Sequence, residues 1–439
     1  MANRRRSVSS SQHHSHRKHH PRRDRSVAES ALTSSYSLDS APAGPSRALN
    51  HNHHPNNGAG TSLDTDSALS LSSARIADDW VPPPFYVHGF HVMNSVKKMT
   101  YRRLGDTDIL ISKISLGGGP FGGLYGNCDS VKCVIHEALR HGVTFIDTSY
   151  WYGQVRSEEL IGQALKKLPR RAYYIATKVG RYELDYARFT DFRGQKVLDA
   201  VDGSLMRLGV RYMDLCCVQI HDYEMAPSER LILEETLPAL SMARASGRVR
   251  YIGLIGYHTS KILSILQKSR FKIDVVVSCA RGTLADGSLG ESMVHLQNYG
   301  VGVINAAPTT MGLLTPQGPP LWHPAPKYIK DACEEAVEYC RRKRISVCRL
   351  AVHYAMNFPG VHSCLVGAHN VDSVRENIET SWSELNWKER KVKERIMRRH
   401  LDPLANANWE ILDVEKYWHK LKRVGVTRRS LELALPVKL

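Results

Sequence analysis

The chain of 439 residues lacks any long hydrophobic run. No stretch approaches the roughly 20 consecutive apolar residues that a helix needs to cross a bilayer. The N-terminus has no apolar segment of the kind that secretory signals contain. We therefore expect a cytosolic protein that has no membrane span and no membrane partner.

Cysteine pairs at the spacings of metal sites are also absent. The nine cysteines are odd in number and scattered; Cys216 and Cys217 are adjacent, and no pair has the C-x-x-C spacing. This pattern argues against a disulfide framework and against a zinc site. We expect reduced thiols and no bound metal.

Acidic residues are scarce at the N-terminus, which explains much of the formal net charge of +17. The first 25 residues contain eight Lys or Arg and a single acidic residue, Asp24. Residues 1–79 are rich in Ser, His, Arg and Asn without a sustained apolar pattern, so they cannot bury enough surface to offset their ordering entropy. We predict a disordered tail there. Charge alone gives no reason to expect a specific nucleic-acid partner.

From about residue 99 the sequence alternates between short apolar runs and amphipathic helical patterns. Near-continuous apolar runs that alternate with helices are typical of parallel strands covered on both faces. The runs are Ile111–Leu116, Val143–Thr148, Tyr173–Val179, Met213–His221, Val249–Gly256, Asp274–Cys279, Val301–Ala307 and Ser363–Gly367. Eight of them predict an α/β fold, a parallel (β/α)8 TIM barrel over residues 99–380, with a doubly wound sheet as the alternative. Residues 80–98 would be a linker and residues 381–439 a C-terminal helical extension.

Four polar residues lie where consecutive predicted strands end. Asp147, Lys178 and His221 close the second, third and fourth runs, and Tyr152 lies in the loop after Asp147. The loops at the carboxyl ends of barrel strands converge on one mouth, so these side chains would meet there. Each alone could have a structural role. Together they predict a proton-transfer group, in which the ammonium lowers the pKa of a phenol that otherwise titrates at about 10.

Five segments occur in order along the predicted barrel. They are FIDTSYWYG (Phe145–Gly153), ATKVGRY (Ala176–Tyr182), VQIHDYE (Val218–Glu224), GRVRYIG (Gly247–Gly253) and VGAHNVDSVREN (Val366–Asn377). This set resembles the aldo-keto reductase superfamily. Together with Met311–Pro326, it looks most like the branch of L-galactose dehydrogenase and D-threo-aldose 1-dehydrogenase, which oxidises the anomeric hydroxyl of a sugar to a lactone.

The resemblance implies a role for each of the four polar residues. Tyr152 would be the general acid and base, Lys178 would tune it, Asp147 would pair with Lys178, and His221 would orient the substrate oxygen. Hydride would pass between a nicotinamide ring and the substrate carbon. We expect Trp151 and Trp322 to contact a small sugar or carbonyl substrate.

The same resemblance predicts where NAD or NADP would bind. Its adenosine end would meet the segment with Gly367, Arg375 and Asn377. The nicotinamide and diphosphate would lie near Ser278, Pro308, Gly312 and Leu313. Gly367 and Ser373 stand where many NADP-preferring relatives have cations, which favours NAD.

A second interpretation of the glycine run, two differences from the family pattern and an alternative function also have to be considered. The glycine run from Gly117 to Gly122 does not spell a dinucleotide fingerprint, so we interpret it as a tight turn. The segment Ser278–Gly282 lacks the aromatic residue of the galactose dehydrogenase branch, and Ala306 stands where many relatives have an aromatic ring. A nicotinamide-binding regulatory or channel-associated subunit is the alternative function, which the complete polar set disfavours. We expect a monomer or a weak dimer.

Overall fold

The computed structural model describes residues 80–123, 128, 130–183, 190–220, 229–321 and 323–409. It also describes five isolated residues further on, which are Lys416, His419, Lys422, Arg423 and Gly425. The tail predicted over residues 1–79 lies outside the described residues, as does most of 410–439.

Eight parallel strands close into a barrel, which confirms the predicted fold and excludes the doubly wound sheet. The strands among the described residues are β1 Tyr101–Arg103, β2 Leu110–Ser112, β3 Ile114–Gly117, β4 Phe145–Asp147, β5 Tyr174–Val179, β6 Met213–Gln219, β7 Val249–Gly256, β8 Val275–Cys279, β9 Gly302–Ala306 and β10 Ser363–Gly367. Strands β3 to β10 pair in chain order, and β10 pairs with β3 to close the ring.

Helices surround the barrel. They are α1 Met93–Lys98, α2 Val131–Arg140, α3 Arg156–Leu165, α4 Gly194–Leu208, α5 Glu229–Leu231, α6 Leu237–Ala245, α7 Thr259–Lys268, α8 Leu289–Asn298, α9 Lys327–Lys343, α10 Val347–Met356, α11 Val371–Trp382 and α12 Trp387–Ile396. A π-helical segment, Ile232–Thr236, joins α5 to α6. No helix among these residues is long and apolar enough to cross a bilayer.

The first predicted strand was wrong in its extent. The run Ile111–Leu116 is divided between β2, which pairs antiparallel with β1, and the barrel strand β3. The chain turns between them, where the Ser112 hydroxyl donates to the Ile114 carbonyl over 2.6 Å. Ile111, Ile114 and Leu116 are buried on both sides of the turn, so the spacing of apolar residues does not mark where one strand ends and the next begins.

The barrel strands are apolar on both faces because each face is covered. Along β6 every residue is buried. Cys216 and Val218 pack with helix residues outside the barrel, whereas Leu215 and Cys217 pack with the residues that fill its interior. This alternation determines which residue at the end of each strand points into the mouth.

Residues on either side of the predicted barrel also pack against it. Within 80–98, Phe85 is buried with its ring centroid 4.8 Å from that of Tyr101, and the Val92 amide donates to the Arg140 carbonyl of α2. At the other end, Trp409 is 5% exposed and contacts the rings of Tyr257 and His323. Both flanking segments therefore contribute to the core.

We expect Trp409→Ala to lower the free energy of unfolding by about 3 kcal/mol, because it removes a large buried ring. Trp387, which is 66% exposed on α12, provides the matched control, and Trp387→Ala should change stability little. Urea unfolding of the full chain measures both. Equal stability of the two variants would show that Trp409 does not pack on the barrel.

Candidate active site

A buried ion pair lies at the carboxyl ends of two neighbouring strands. Asp147 is the last residue of β4, and Lys178 is the next-to-last residue of β5. The Lys178 ammonium lies 2.5 Å from Asp147 Oδ2, and the two side chains are only 1% and 2% exposed. The structure thus brings together two of the predicted residues.

Tyr152 lies against this pair. The Lys178 ammonium is 4.6 Å from the centroid of the Tyr152 ring, and it also donates to the Thr148 carbonyl over 2.7 Å. Burial alone would lower the pKa of Lys178, but Asp147 and Tyr152 outweigh it and hold that pKa above its ordinary value. The ammonium is therefore charged throughout the physiological range.

Lys178 lowers the pKa of the Tyr152 phenol as expected, but the net pKa is raised. Burial raises the pKa of Tyr152 to about 12, and the opposing effect of Lys178 is the smaller one. The sequence identifies the two neighbours but not how far the ring is removed from water. In the described structure the phenol is therefore a proton donor at neutral pH.

The glycine run explains how Tyr152 is placed. A Cβ at Gly122 would overlap the backbone of Tyr152, and one at Gly118 would lie 2.7 Å from the Asp147 carbonyl. These glycines therefore admit the Tyr152 loop against the turn that follows β3, consistent with the predicted tight turn. After Tyr152 the chain passes through three residues with positive φ, at 69° for Gly153, 50° for Gln154 and 72° for Val155.

The described residues do not cover every predicted contact. His221 and Trp322 both lie outside them, so their predicted roles stay predictions. Trp151 is half-buried beside Tyr152, and the guanidinium of Arg181 lies 3.7 Å from the centroid of its ring. Trp151 thus lies in the loop that carries Tyr152, and its role as a substrate contact stays a prediction.

Ser278 does not point into the mouth. It shares the outer face of β8 with Val276, which packs among helix residues. Its hydroxyl is buried with no hydrogen-bond partner in the described part of the chain. Cys279 lies on the inner face with Val277, so it is the β8 residue that lines the site. Strand alternation could have shown this from the sequence.

Gln219 is a buried polar side chain that the sequence reasoning missed. It ends β6 on the same face as Cys217, and its Oε1 atom has no partner among the residues described. The signal was available, because Gln219 precedes His221 by two residues and alternation gives it the inward face. A ligand amide could donate to this oxygen, so the site fits the carboxamide of a nicotinamide.

The predicted cofactor segments flank the same mouth. Gly367 ends β10, and Asn370 caps α11 by accepting from the Ser373 amide. Arg375 is 64% exposed and pairs with Glu137 over 2.6 Å, and Asn377 lines a small cavity beneath α11.

The segment after β9 has an unusual backbone. Pro308 and Leu313 are buried there, while Thr310, Met311 and Gly312 all have positive φ. Ala306 is buried at the end of β9. Within the residues described, no group of three His, Cys, Asp or Glu side chains could hold a metal ion.

Comparisons with known proteins agree with this geometry. Residues 113–394 match the model of the Aldo/keto reductase family. The chain is 34% identical over 319 residues to L-galactose dehydrogenase of Arabidopsis thaliana, covering 71% of this chain and 97% of that protein. It is 28% identical over 298 residues to D-arabinose 1-dehydrogenase of Saccharomyces cerevisiae, covering 63% of this chain and 85% of that protein.

Solved structures give the same fold. The holo form of aldo-keto reductase AKR11C1 from Bacillus halodurans superposes with a TM-score of 0.56 at 26% identity, covering 68% of this chain and 96% of that one. Glycerol dehydrogenase AKR11B4 from Gluconobacter oxydans gives a TM-score of 0.53 at 22% identity, covering 69% and 96%.

We expect Gly122→Ala to lower the free energy of unfolding by about 2 kcal/mol, because the added methyl group overpacks the Tyr152 backbone. Gly290→Ala in α8 is the control, since the nearest atom to its Cβ would be 3.7 Å away and alanine favours helix. Urea unfolding compares them. A Gly122→Ala protein as stable as the wild type would contradict the close approach of the two loops.

Proposed function

The chain belongs to the Aldo/keto reductase family of oxidoreductases, and on that premise we propose that it is a nicotinamide-dependent dehydrogenase that oxidises an aldose at its anomeric carbon. The observation that carries the proposal is the buried Asp147–Lys178 pair with Tyr152 against it. The relative named L-galactose dehydrogenase, whose length the chain covers almost completely, supports an aldose as the substrate.

The proposed steps rest on the chain's own residues. Tyr152, as phenolate, takes the proton of the anomeric hydroxyl, and Lys178 stabilises the negative oxygen while it exists. Asp147 keeps Lys178 charged and in place. His221, which follows β6 in the sequence, would orient the sugar oxygen. A bound dinucleotide supplies the acceptor for the hydride that leaves the anomeric carbon.

The residues present fit a dinucleotide, and we propose NAD as the preferred one. Gln219 would hold the carboxamide, and the segment from Gly367 to Asn377 would meet the adenosine. The 2′-phosphate of NADP needs a cation or free donors. In this segment the Ser373 hydroxyl donates to Asn370 and Arg375 pairs with Glu137, which supports the choice.

The raised pKa of Tyr152 makes the oxidation dependent on pH. The phenolate fraction rises about tenfold per pH unit below a pKa of about 12, so we expect log kcat/KM for oxidation to rise with a slope of about one between about pH 7 and 9. Reduction needs the protonated phenol and should be flat over that range. Lys178→Met should move the oxidation profile to higher pH, because the ammonium lowers the pKa of the phenol. A flat oxidation profile would exclude Tyr152 as the proton acceptor.

Substrate oxidation is tested by the formation of reduced nicotinamide with L-galactose, L-fucose or D-arabinose and either NAD+ or NADP+. We expect turnover with NAD+ that falls at least about a hundredfold in Tyr152→Phe, while dinucleotide affinity is kept. Turnover that survives in Tyr152→Phe would refute the mechanism. Absence of sugar oxidation, with reduction of a small aldehyde such as methylglyoxal instead, would refute the proposed substrate class but keep the proton donor.

A further inference from the structure

The first turn of helix α3 carries two consecutive polar side chains that are completely buried. Ser157 and Glu158 are both 0% exposed, although helix α3 otherwise buries apolar residues. A buried carboxylate is costly unless charged or polar groups surround it. The partners of these two side chains therefore reveal what they do.

Glu158 binds three side chains between α3, β5 and α4. Its Oε1 accepts from the Thr177 hydroxyl over 2.5 Å and from the Ser204 hydroxyl over 2.8 Å. Its Oε2 accepts from Arg207 Nε over 2.7 Å. Thr177 directly precedes Lys178 in β5, so Glu158 holds the strand from its outer face at the point where the ammonium leaves its inner face.

Ser157 acts on the same ammonium indirectly, through Thr148. The Thr148 hydroxyl donates to Ser157 Oγ, and Ser157 Oγ donates to the Gly118 carbonyl, each over 2.9 Å. The carbonyl of Thr148 is the second acceptor of the Lys178 ammonium. The residue after Asp147 and the residue before Lys178 are thus both bound to the start of α3.

We propose that Ser157 and Glu158 are positioning residues that set the Lys178 ammonium against the Tyr152 ring. The inference rests on the proposed function. The start of α3 also bonds to Tyr152 itself, since the Ser157 amide donates to the Tyr152 carbonyl over 3.1 Å. One helix turn therefore fixes the separation between proton carrier and cation, where displacements of about 1 Å can change rates about a hundredfold.

The barrel supplies a matched control in Asp214. This carboxylate is 1% exposed and accepts from Arg170 over 2.6 Å, from Arg250 over 2.8 Å and from the Ile175 amide over 2.9 Å. It is as buried and as well bonded as Glu158. It lies near the start of β6, however, at the opposite end of the strand from the mouth.

The kinetic test compares Glu158→Gln, Thr177→Val and Asp214→Asn. We expect Glu158→Gln and Thr177→Val to lower kcat at least about tenfold with KM changed less than about threefold. Asp214→Asn should lose stability to a similar degree and keep its kcat. Thr177→Val keeps the shape of the side chain, so it carries the test if Glu158→Gln does not fold. If Asp214→Asn lost as much kcat as Glu158→Gln, Glu158 would only stabilise the fold and would not position Lys178.

A second measurement needs no substrate and so separates this inference from the proposed function. The buried Lys178 ammonium should give a slowly exchanging NMR signal in protein with isotope-labelled lysine, assigned by its loss in Lys178→Met. We expect Glu158→Gln and Thr177→Val to shift that signal or speed its exchange, and Asp214→Asn to leave it unchanged. An unchanged signal in both Glu158→Gln and Thr177→Val would overturn the positioning role, whatever reaction the wild type catalyses.

Discussion

The ion pair between Asp147 and Lys178 is the interaction on which the site depends. Two charges lie out of contact with water at the top of an interior that Phe145, Ala176 and Leu215 otherwise fill with apolar atoms. Such a pair is stable only when further groups satisfy its remaining hydrogen bonds. Here the Thr148 carbonyl does so for the ammonium. A single buried cation thus connects two strands, a loop carbonyl and an aromatic ring.

The same burial determines the chemistry of Tyr152. A phenol next to an ammonium in water would have a lowered pKa, but here the loss of water outweighs the cation. The Tyr152 phenol therefore holds its proton strongly at neutral pH. In the proposed reaction, oxidation of a sugar and reduction of a carbonyl would use the same three residues, Asp147, Tyr152 and Lys178.

Much of the architecture can be predicted from the sequence, because short apolar, β-branched runs that alternate with helices are typical of parallel strands buried on both faces. The division of Ile111–Leu116 into two strands cannot be predicted in this way. The hairpin strand β2 and the barrel strand β3 differ in the strand with which they pair and not in their composition. The sequence predicts Asp147 and Lys178 from their places at strand ends, and Tyr152 from its place in the loop after Asp147. The burial of Tyr152 depends on Gly122 and Gly118, which admit its loop. The periodicity of apolar residues does not show how closely these two segments approach each other.

The left-handed residues after Tyr152 have a consequence for how the protein loses function on heating. Val155 is β-branched and has a φ of 72°, a conformation it would leave if the surrounding contacts loosened. Some of those contacts lie within the loop, where the Val155 amide donates to the Tyr150 carbonyl over 2.7 Å. Others come from the start of α3 and from the segment that follows β3. Loops generally open locally with less free energy than the strands and helices of a core. Thermal inactivation should therefore begin at temperatures where the eight strands are still intact.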